Sequence, residues 1–381
     1  MSTLAYMAAN KEYFGKLNAL MALVALTSCV DKIYFDAPRA QPFTIVEGMI
    51  SDSPGPYTVK VSKSLSIIAD SSVRDPIQNA KIQLRDDEGN VEDLAETSPG
   101  IYVTGGVIQG RVGHAYSLLI ETDDGKIFES EPDTIKPVGE IDSIKYQFEA
   151  RKIQLGYVAY EADVFNILVD AKVGKGSSNY VRWRFTGIYK AITHPEFHFI
   201  YLQGYKINDP YPCSGYVAGP LIDGNHLVQV DSCTCCICWV TQYEPMPTVS
   251  DGQFISNNEF RNVKVAEVPI NIVTFDDKYL VQIEQMSLSK NAFDFFKLIR
   301  IQKDQAASLF QPPFGTLKGN ISSRNANEPV VGLFWATSTT IKRIFIPRSA
   351  APDYLGPTDA DLNAPCQRIP SSTTTQPDFW Q

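Results

Sequence analysis

From Phe43 onward, the chain alternates between apolar and polar residues over short stretches, and this pattern predicts β-strands. Thr44 to Ile50 and Tyr57 to Ser62 show the two-residue period expected of a strand with one buried face. The turn-forming residues Ser51 to Pro56 separate these two stretches. About seven such strands, joined by Asp-Gly or Glu-Gly turns, predict an antiparallel β-sandwich over residues 43–137.

A second, larger β-rich region is predicted over residues 138–346. Its strands include Ile141 to Phe148, Val164 to Val173 and Tyr180 to Ile188. The C-terminal residues 347–381 are rich in Pro, Ser and Thr, which predicts an irregular tail on the surface. The fold class predicted from these patterns is therefore mainly β.

One segment near residues 289–309 changes to the hydrophobic period of an α-helix. The apolar residues at this spacing are Ala292, Phe295, Phe296, Ile299 and Leu309. Ser287 or Ser289 can cap the start of the helix, and Pro312-Pro313 stops it. An aromatic stripe of this kind is typical of a helix that faces the core, so we predict one main helix here.

The N-terminal apolar run from Leu17 to Leu26 has the features of an export signal. Two lysines precede the run, which is too short to span a bilayer as a permanent helix. The sequence Leu26-Thr27-Ser28-Cys29 is similar to the bacterial lipobox. We predict a lipoprotein signal peptide over residues 1–28, a lipidated Cys29 and a tether over residues 29–42, with several acyl chains giving stable anchoring. The alternatives are a secretion signal with an incidental cysteine and a buried N-terminal helix.

Composition limits the classes of partner. The formal net charge is −9, and lysine and arginine are scattered along the chain, which argues against nucleic acid because phosphate binding requires a concentrated basic face. Beyond the N-terminal run, no segment is apolar over the length that a membrane-crossing helix needs. An acidic surface is typical of a solvated, exported protein.

The chain has seven cysteines, and lipidation of Cys29 leaves an even number for an oxidising compartment. The remaining six are Cys213, Cys233, Cys235, Cys236, Cys238 and Cys366. We predict structural disulfides among them, with the pairing open because six cysteines allow about fifteen combinations. Zinc binding is a weaker hypothesis, since neighbouring residues of an extended chain point to opposite faces. Redox catalysis is also weaker, because no helix N-terminus is evident beside the cysteines.

No other motif predicts catalysis, a metal or a cofactor. The segment His194-Pro195-Glu196-Phe197-His198 departs from the zinc-protease motif, and its proline opposes a helix. The acidic turns at residues 86–90 and 123–125 lack the spaced oxygen ligands of a calcium loop, and Asp276-Asp277 is predicted to be a turn. The sequence contains no Gly-x-Ser-x-Gly elbow and no phosphate-binding loop.

Several separated motifs resemble those of one family of exported lipoproteins, domain of unknown function 4249. Near the N-terminus they are Gly48-Met49-Ile50-Ser51-Asp52, Gly55-Pro56-Tyr57-Thr58-Val59, Asn79-Ala80-Lys81-Ile82, Gly100-Ile101-Tyr102, Gly113 and Tyr116. Further along they are Cys236-x-Cys238-Trp239, Leu280 to Met286, Ser308 to Pro313, Gly319-Asn320-Ile321 and Val331 to Ala336. The crowded cysteines at 233–238 depart from the family pattern.

The resemblance implies an outer-membrane lipoprotein of the Bacteroidota type, commonly encoded beside a TonB-dependent receptor. It also implies an N-terminal sandwich of immunoglobulin-like or carboxypeptidase-regulatory-like form, and a position on the cell surface. The family provides no catalytic residues to carry over to this chain.

The leading functional hypothesis is a non-enzymatic accessory subunit of a TonB-dependent receptor or larger barrel complex, for substrate capture or complex stabilisation. The alternatives are a stand-alone surface ligand-binding protein and a surface hydrolase. The aromatic segments Phe197 to Tyr205 and Tyr211 to Tyr216 are candidates for a contact surface, because tyrosine and tryptophan are common at interfaces. The same segments are equally compatible with loops packed on their own domain.

Overall fold

The computed structural model describes residues 42–64, 75–155, 158–174, 180–220, 226–250, 255–256, 258–306, 317, 319–325 and 328–380. In chain order the strands up to residue 202 are β1 Thr44–Ser51, β2 Thr58–Lys63, β3 Asp75–Pro76, β4 Lys81–Asp86, β5 Val91–Asp93, β6 Ala95–Ser98, β7 Ile101–Val103, β8 Ala115–Glu121, β9 Ile127–Ser130, β10 Asp133–Thr134, β11 Ile141–Glu149, β12 Lys152–Leu155, β13 Val158–Glu161, β14 Val164–Lys172, β15 Val181–Ile192 and β16 Phe199–Leu202. The later strands are β17 Tyr205–Asn208, β18 Tyr216–Ala218, β19 Leu227–Gln229, β20 Ile237–Tyr243, β21 Thr248–Ser250, β22 Ile255–Ser256, β23 Glu259–Pro269, β24 Tyr279–Ser287, β25 Ile321–Ser323, β26 Val330–Thr337, β27 Thr339–Ile346 and β28 Ser372–Thr373, and the α-helix α1 is Lys290–Ala306.

The predicted mainly β fold is confirmed, and its N-terminal part is a sandwich of two sheets. One sheet has the order β26-β1-β2-β7-β6 with β3 beside β2, and the other has the order β25-β9-β8-β4-β5 with β10 beside β8. Val46 and Ile50 on β1 are fully buried, and they pack in one core with Leu118 and Phe128 from the other sheet. Burial of these apolar side chains is the main force that holds the two sheets together.

Two strands from near the C-terminus complete this sandwich. β26 pairs in parallel with β1, from Thr44 opposite Val330 to Ser51 opposite Thr337. β25 pairs with β9, and Phe334 and Ile321 enter the sandwich core. The sandwich is therefore built from residues 43–137 together with segments that lie far beyond Pro137 in the sequence.

β1 lies along one edge of β26. At the opposite edge, side chains make the backbone hydrogen bonds that a neighbouring strand would otherwise make. Asn320 Nδ2 donates to the Phe334 carbonyl at 2.6 Å, and the Phe334 N–H donates to Asn320 Oδ1 at 3.0 Å. The Ala336 N–H donates to Asp133 Oδ2 at 2.9 Å. Burial raises the pKa of Asp133, and the hydrogen bond from Ala336 partly offsets that rise. The backbone groups of this buried edge are thus paired without a further strand.

The second β-rich region consists mainly of two more sheets. Their orders are β11-β14-β23-β22 and β27-β24-β15-β20-β28, with β21 beside β15. Trp183 on β15 is fully buried between the two sheets. Its ring packs edge-on against the Phe260 ring, with 5.0 Å between the ring centres, and its Nε1 donates a hydrogen bond to Gln285 Oε1 at 2.7 Å. Because successive residues of a strand point to opposite faces, Arg182 and Arg184 project from the other side of the sheet.

The helix α1 confirms the predicted change of period. The Ala292 N–H donates to the Ser289 side chain at 3.2 Å, which caps the helix as expected. Ala292, Phe293 and Phe296 are buried, and they pack against Trp335 on the outer face of β26. Among the residues of the predicted stripe, Phe295 and Ile299 are only half-buried, while Leu309 and the Pro312-Pro313 stop lie outside the described residues.

Arg151 connects two carboxylates across the sheet that contains β11, β14 and β23. Its Nε donates to Glu149 at 2.7 Å and its Nη1 donates to Glu267 at 2.7 Å. The hydrogen bonds from Arg151, with smaller contributions from Asn166 and Lys264, lower the pKa of both glutamates to about 2. A carboxylate whose pKa is depressed in the folded state stabilises that state above its ordinary pKa, and this stabilisation is lost as the pH falls.

We therefore predict that Arg151→Ala lowers the thermal midpoint most at neutral pH. The difference from the parent protein should shrink as the pH falls from about 4.5 to about 2, where both glutamates become protonated in either protein. Thermal unfolding followed by circular dichroism from pH 7 to pH 2 measures this difference. Arg343→Ala is the control, because Arg343 donates to the neutral Gln282 at 2.6 Å and its loss should cost the same at each pH. A pH-independent difference for Arg151→Ala would contradict the prediction.

Candidate functional site

A groove of about 1350 Å³ lies between α1, the outer face of the sandwich sheet and the exposed face of the sheet that contains β15. It exceeds the ~300–1000 Å³ of pockets that enclose a drug-sized ligand. Its lining residues are Phe43, Ile45, Glu47, Gly48, Met49, Ser51, Pro54, Pro56, Tyr57, Thr58, Lys60, Arg182, Arg184, Glu284, Phe295, Phe296, Ile299, Gln302, Leu317, Gly319, Ile321, Pro329, Val330, Val331, Gly332, Leu333 and Trp335. The size and openness of this groove suit an extended occupant.

The floor of the groove is apolar because β1 and β26 turn one set of alternating side chains away from the sandwich core. The parallel register places Met49 opposite Trp335 and Ile45 opposite Val331. The alternate residues of β1 face the core, so the sheet is apolar on both of its faces here. Helix α1 covers part of the outer face and leaves the remainder as the groove.

Two ion pairs border the groove. Arg184 Nε donates to Glu284 Oε2 at 2.7 Å, directly across the β15–β24 pair. Arg182 forms an ion pair with Glu244, and its guanidinium carbon lies 4.4 Å from the centre of the Phe296 ring. Burial raises the pKa of Glu244, while the charge of Arg182 opposes that rise. These pairs fix charged hydrogen-bonding groups at the side of an apolar surface.

The two carboxylates at the border of the groove, Glu284 and Glu244, are engaged by arginines. Arg184 holds Glu284 and Arg182 holds Glu244, whereas a general acid or base must be able to exchange its proton with a substrate. Within the described part of the chain, no group of three or more His, Cys, Asp or Glu residues is arranged to hold a metal ion.

The six cysteines predicted to form disulfides do so. The pairs are Cys213–Cys235, Cys233–Cys236 and Cys238–Cys366. The first two hold a segment of loops and hairpins that leaves the end of β15 and returns at the start of β20, and the third attaches the C-terminal tail to β20. Cys29, the predicted lipidation site, lies outside the described residues, so the lipid anchor remains a prediction.

The segment between β15 and β20 forms an arm that carries the predicted aromatic contact surface. We use "arm" for residues 193–236, which contain the hairpins β16–β17 and β18–β19. Phe197, Tyr201 and Tyr205 are exposed, whereas Tyr211 and Tyr216 are half-buried. The first aromatic segment is therefore available for contact, whereas Tyr211 of the second packs against His198 of the arm and Arg368 of the tail.

Other sequence candidates have structural roles. Pro195–Phe197 form a single 3₁₀ turn, so the helical scaffold of a zinc protease is absent there. His194 Nδ1 lies 3.1 Å from Glu196 Oε1. Asp86 accepts hydrogen bonds from the N–H groups of Glu88 and Asn90, which makes its loop a turn without need of a cation. Asp276-Asp277 lies in a bend that directly follows the turn of residues 272–275.

The sequence interpretation did not identify the groove residues Arg182, Arg184 and Glu284. It also did not identify Glu244, which forms the ion pair with Arg182. Their only signal is the alternation of arginine with the buried Val181, Trp183 and Phe185 along β15. That pattern indicates which face each arginine occupies, but the strands and helix that meet this face come from distant parts of the sequence.

These features define a class, namely a mainly β protein with a sandwich that is antiparallel except for the β1–β26 pair, and with a second β-rich part. Its described residues also form three disulfides and an open groove beside a helix. The chain belongs to the family described as domain of unknown function (DUF4249), whose sequence model matches residues 30–343. A comparison with curated proteins finds no match. No helix in the described ranges has the length and apolar character needed to cross a membrane.

Proposed function

We propose that the protein is a non-enzymatic accessory subunit of the outer membrane, anchored by lipid at Cys29 and bound to a TonB-dependent receptor-like β-barrel. In this role it captures substrate or stabilises the barrel complex. The observation that supports the proposal most directly is the groove, which offers a large apolar surface bordered by ion pairs of arginine with glutamate.

The groove suits an extended segment of a partner or cargo. Apolar surface in the half-buried Ile45, Met49 and Val331 gives affinity through burial, at roughly 25 cal/mol per Å² removed from water. Arg184, which is partly exposed beside Glu284, can donate further hydrogen bonds to a backbone or head group. Apolar contact surrounded by fixed polar groups is the usual anatomy of a protein interface.

The test is affinity purification of a tagged protein at native expression level from membranes in mild detergent, with mass spectrometry of the co-eluting proteins. The parent should recover a β-barrel partner in stoichiometric amount. The variant Phe295→Glu with Ile299→Glu places two charges on half-buried groove positions of α1 and should reduce recovery by about tenfold or more. Both substitutions keep good helix formers in the helix.

The control is Val91→Glu, at an exposed position on β5 that does not line the groove. It should leave recovery unchanged, and all variants should keep the far-ultraviolet circular dichroism spectrum of the parent. Recovery of the parent as a lone lipoprotein would refute the proposal. In that event a saturable thermal shift of the parent with a small ligand, lost in the groove variant, would favour stand-alone ligand capture.

A further inference from the structure

The tip of the hairpin β16–β17 is an exposed apolar surface that is separate from the groove. The exposed fractions of Tyr201, Leu202 and Tyr205 are 70%, 55% and 76%. Large apolar side chains at this exposure are common singly on protein surfaces, but a contiguous group of them marks a contact with a protein or a membrane.

The hairpin exposes apolar groups on both of its faces. Leu202 lies opposite Tyr205, and Ile200 lies opposite Ile207, so these pairs share one face. Tyr201 is on the other face, where its ring meets the ring of Phe199 at 5.6 Å. A strand pair that docks on a flat protein surface needs one apolar face, whereas a tip that enters an apolar phase needs both.

The backbone holds the tip in a defined shape. Gln203 and Gly204, with φ of 51° and 86°, form the two-residue turn, and both angles lie in the left-handed region that such hairpin turns require. At the base, the Asp209 N–H donates to the His198 carbonyl at 2.9 Å, and the Tyr211 N–H donates to the Pro195 carbonyl at 3.1 Å. The apolar tip is therefore presented on a paired and anchored hairpin.

The charge and depth of the tip fit a bilayer interface. Residues 199–208 contain one lysine, Lys206, and no carboxylate, so the segment is complementary to anionic phosphate head groups. Ile200 to Leu202 lie within about 10 Å of the turn, at ~3.3 Å per residue, which matches the depth to which interfacial segments bury apolar side chains. Tyrosine, with an apolar ring and a polar hydroxyl, is enriched at this level of a membrane.

We propose that this hairpin tip inserts into the interfacial region of a phospholipid bilayer with anionic head groups. The protein then has a second membrane contact in addition to the predicted lipid at Cys29, and the contact fixes how the arm is oriented above the membrane. This inference does not depend on a barrel partner or on the occupant of the groove.

The experiment uses the mature chain from residue 29 with Cys29→Ser, which cannot be acylated and retains every described strand. Flotation with vesicles of phosphatidylcholine and phosphatidylglycerol measures binding, and vesicles of phosphatidylcholine alone test the charge dependence. The triple variant Tyr201→Ser, Leu202→Ser, Tyr205→Ser should bind the anionic vesicles at least about tenfold more weakly than the parent. A Tyr205→Trp variant should show a blue shift of its emission when anionic vesicles are added.

The matched control is Tyr243→Ser, Val107→Ser, Tyr354→Ser, which removes two exposed tyrosines and one exposed aliphatic residue outside the arm. This control variant should bind both kinds of vesicle as strongly as the parent protein does. The proposal is overturned if the parent binds neither kind of vesicle, if the triple variant and the control bind equally, or if binding is independent of the anionic lipid. It is also overturned if the triple variant keeps vesicle binding but loses a protein partner in membrane extracts, because the tip would then be a protein interface.

Discussion

Asn320→Ala is expected to lower the free energy of unfolding by about 2–4 kcal/mol, because it leaves both backbone groups of Phe334 unpaired inside the sandwich. Asn320 is buried and bonds this residue through its amide nitrogen and its oxygen, as a neighbouring strand would. Alanine offers neither group, and the position is too enclosed for water to replace them fully. Unfolding in urea, followed by tryptophan fluorescence, measures the loss.

Asn325→Ala is the control that separates the effect of burial from the effect of losing a hydrogen bond. Asn325 Oδ1 also accepts a backbone hydrogen bond, from the Ile127 N–H at 2.7 Å, but this contact is exposed to solvent. Water can replace the lost acceptor, so the expected cost is below about 1 kcal/mol. Equal losses for the two alanine variants would show that the buried edge of β26 does not depend on its side-chain partner.

Replacing Cys238 and Cys366 together by alanine is expected to cost about 3–5 kcal/mol. These two residues are separated by 128 positions, so their link restricts the unfolded chain strongly, and loop-closure entropy alone corresponds to about 5 kcal/mol. Both cysteines are fully buried, at the place where the tail crosses β20. Thermal unfolding under non-reducing conditions, with limited proteolysis of the tail, measures the effect.

The matched pair for this experiment is Cys233 with Cys236, which are three positions apart. The same entropic argument gives about 2 kcal/mol for so small a loop, and the tail is not involved. The double alanine variant of this pair should therefore retain a protease-resistant tail. Release of the tail at similar rates from both variants would mean that packing of Trp380 and its neighbours, and not the disulfide, holds it in place.

Local patterns in the sequence predict much of this structure. The alternation in residues 44–50 predicts β1, and the structure places Val46 and Ile50 of this strand in the core. The change of period after Ser287 predicts α1 to within a few residues. Both patterns depend only on neighbours within one element, where the geometry of the backbone sets the spacing of buried side chains.

The features that sequence reasoning did not supply all join distant segments. The cysteine count predicts disulfides, but the partner of Cys238 depends on where the tail returns in space. The groove needs β1, β15, α1 and β26 to converge, and no periodicity within any one of them encodes that meeting. Arg184 and Glu284 illustrate the limit, because they become neighbours only through the register of β15 with β24.

The pairing of the first strand with β26 constrains the order in which the protein can fold. Synthesis proceeds from the N-terminus, so Thr44–Ser51 emerges early and Val330–Thr337 late. Until the late strand arrives, Phe334 and Ala336 are missing from the sandwich core, and the edge of β1 has no neighbour on that side. An open β edge readily pairs with other chains, so the interval between the two arrivals is the period when this protein most needs protection from aggregation.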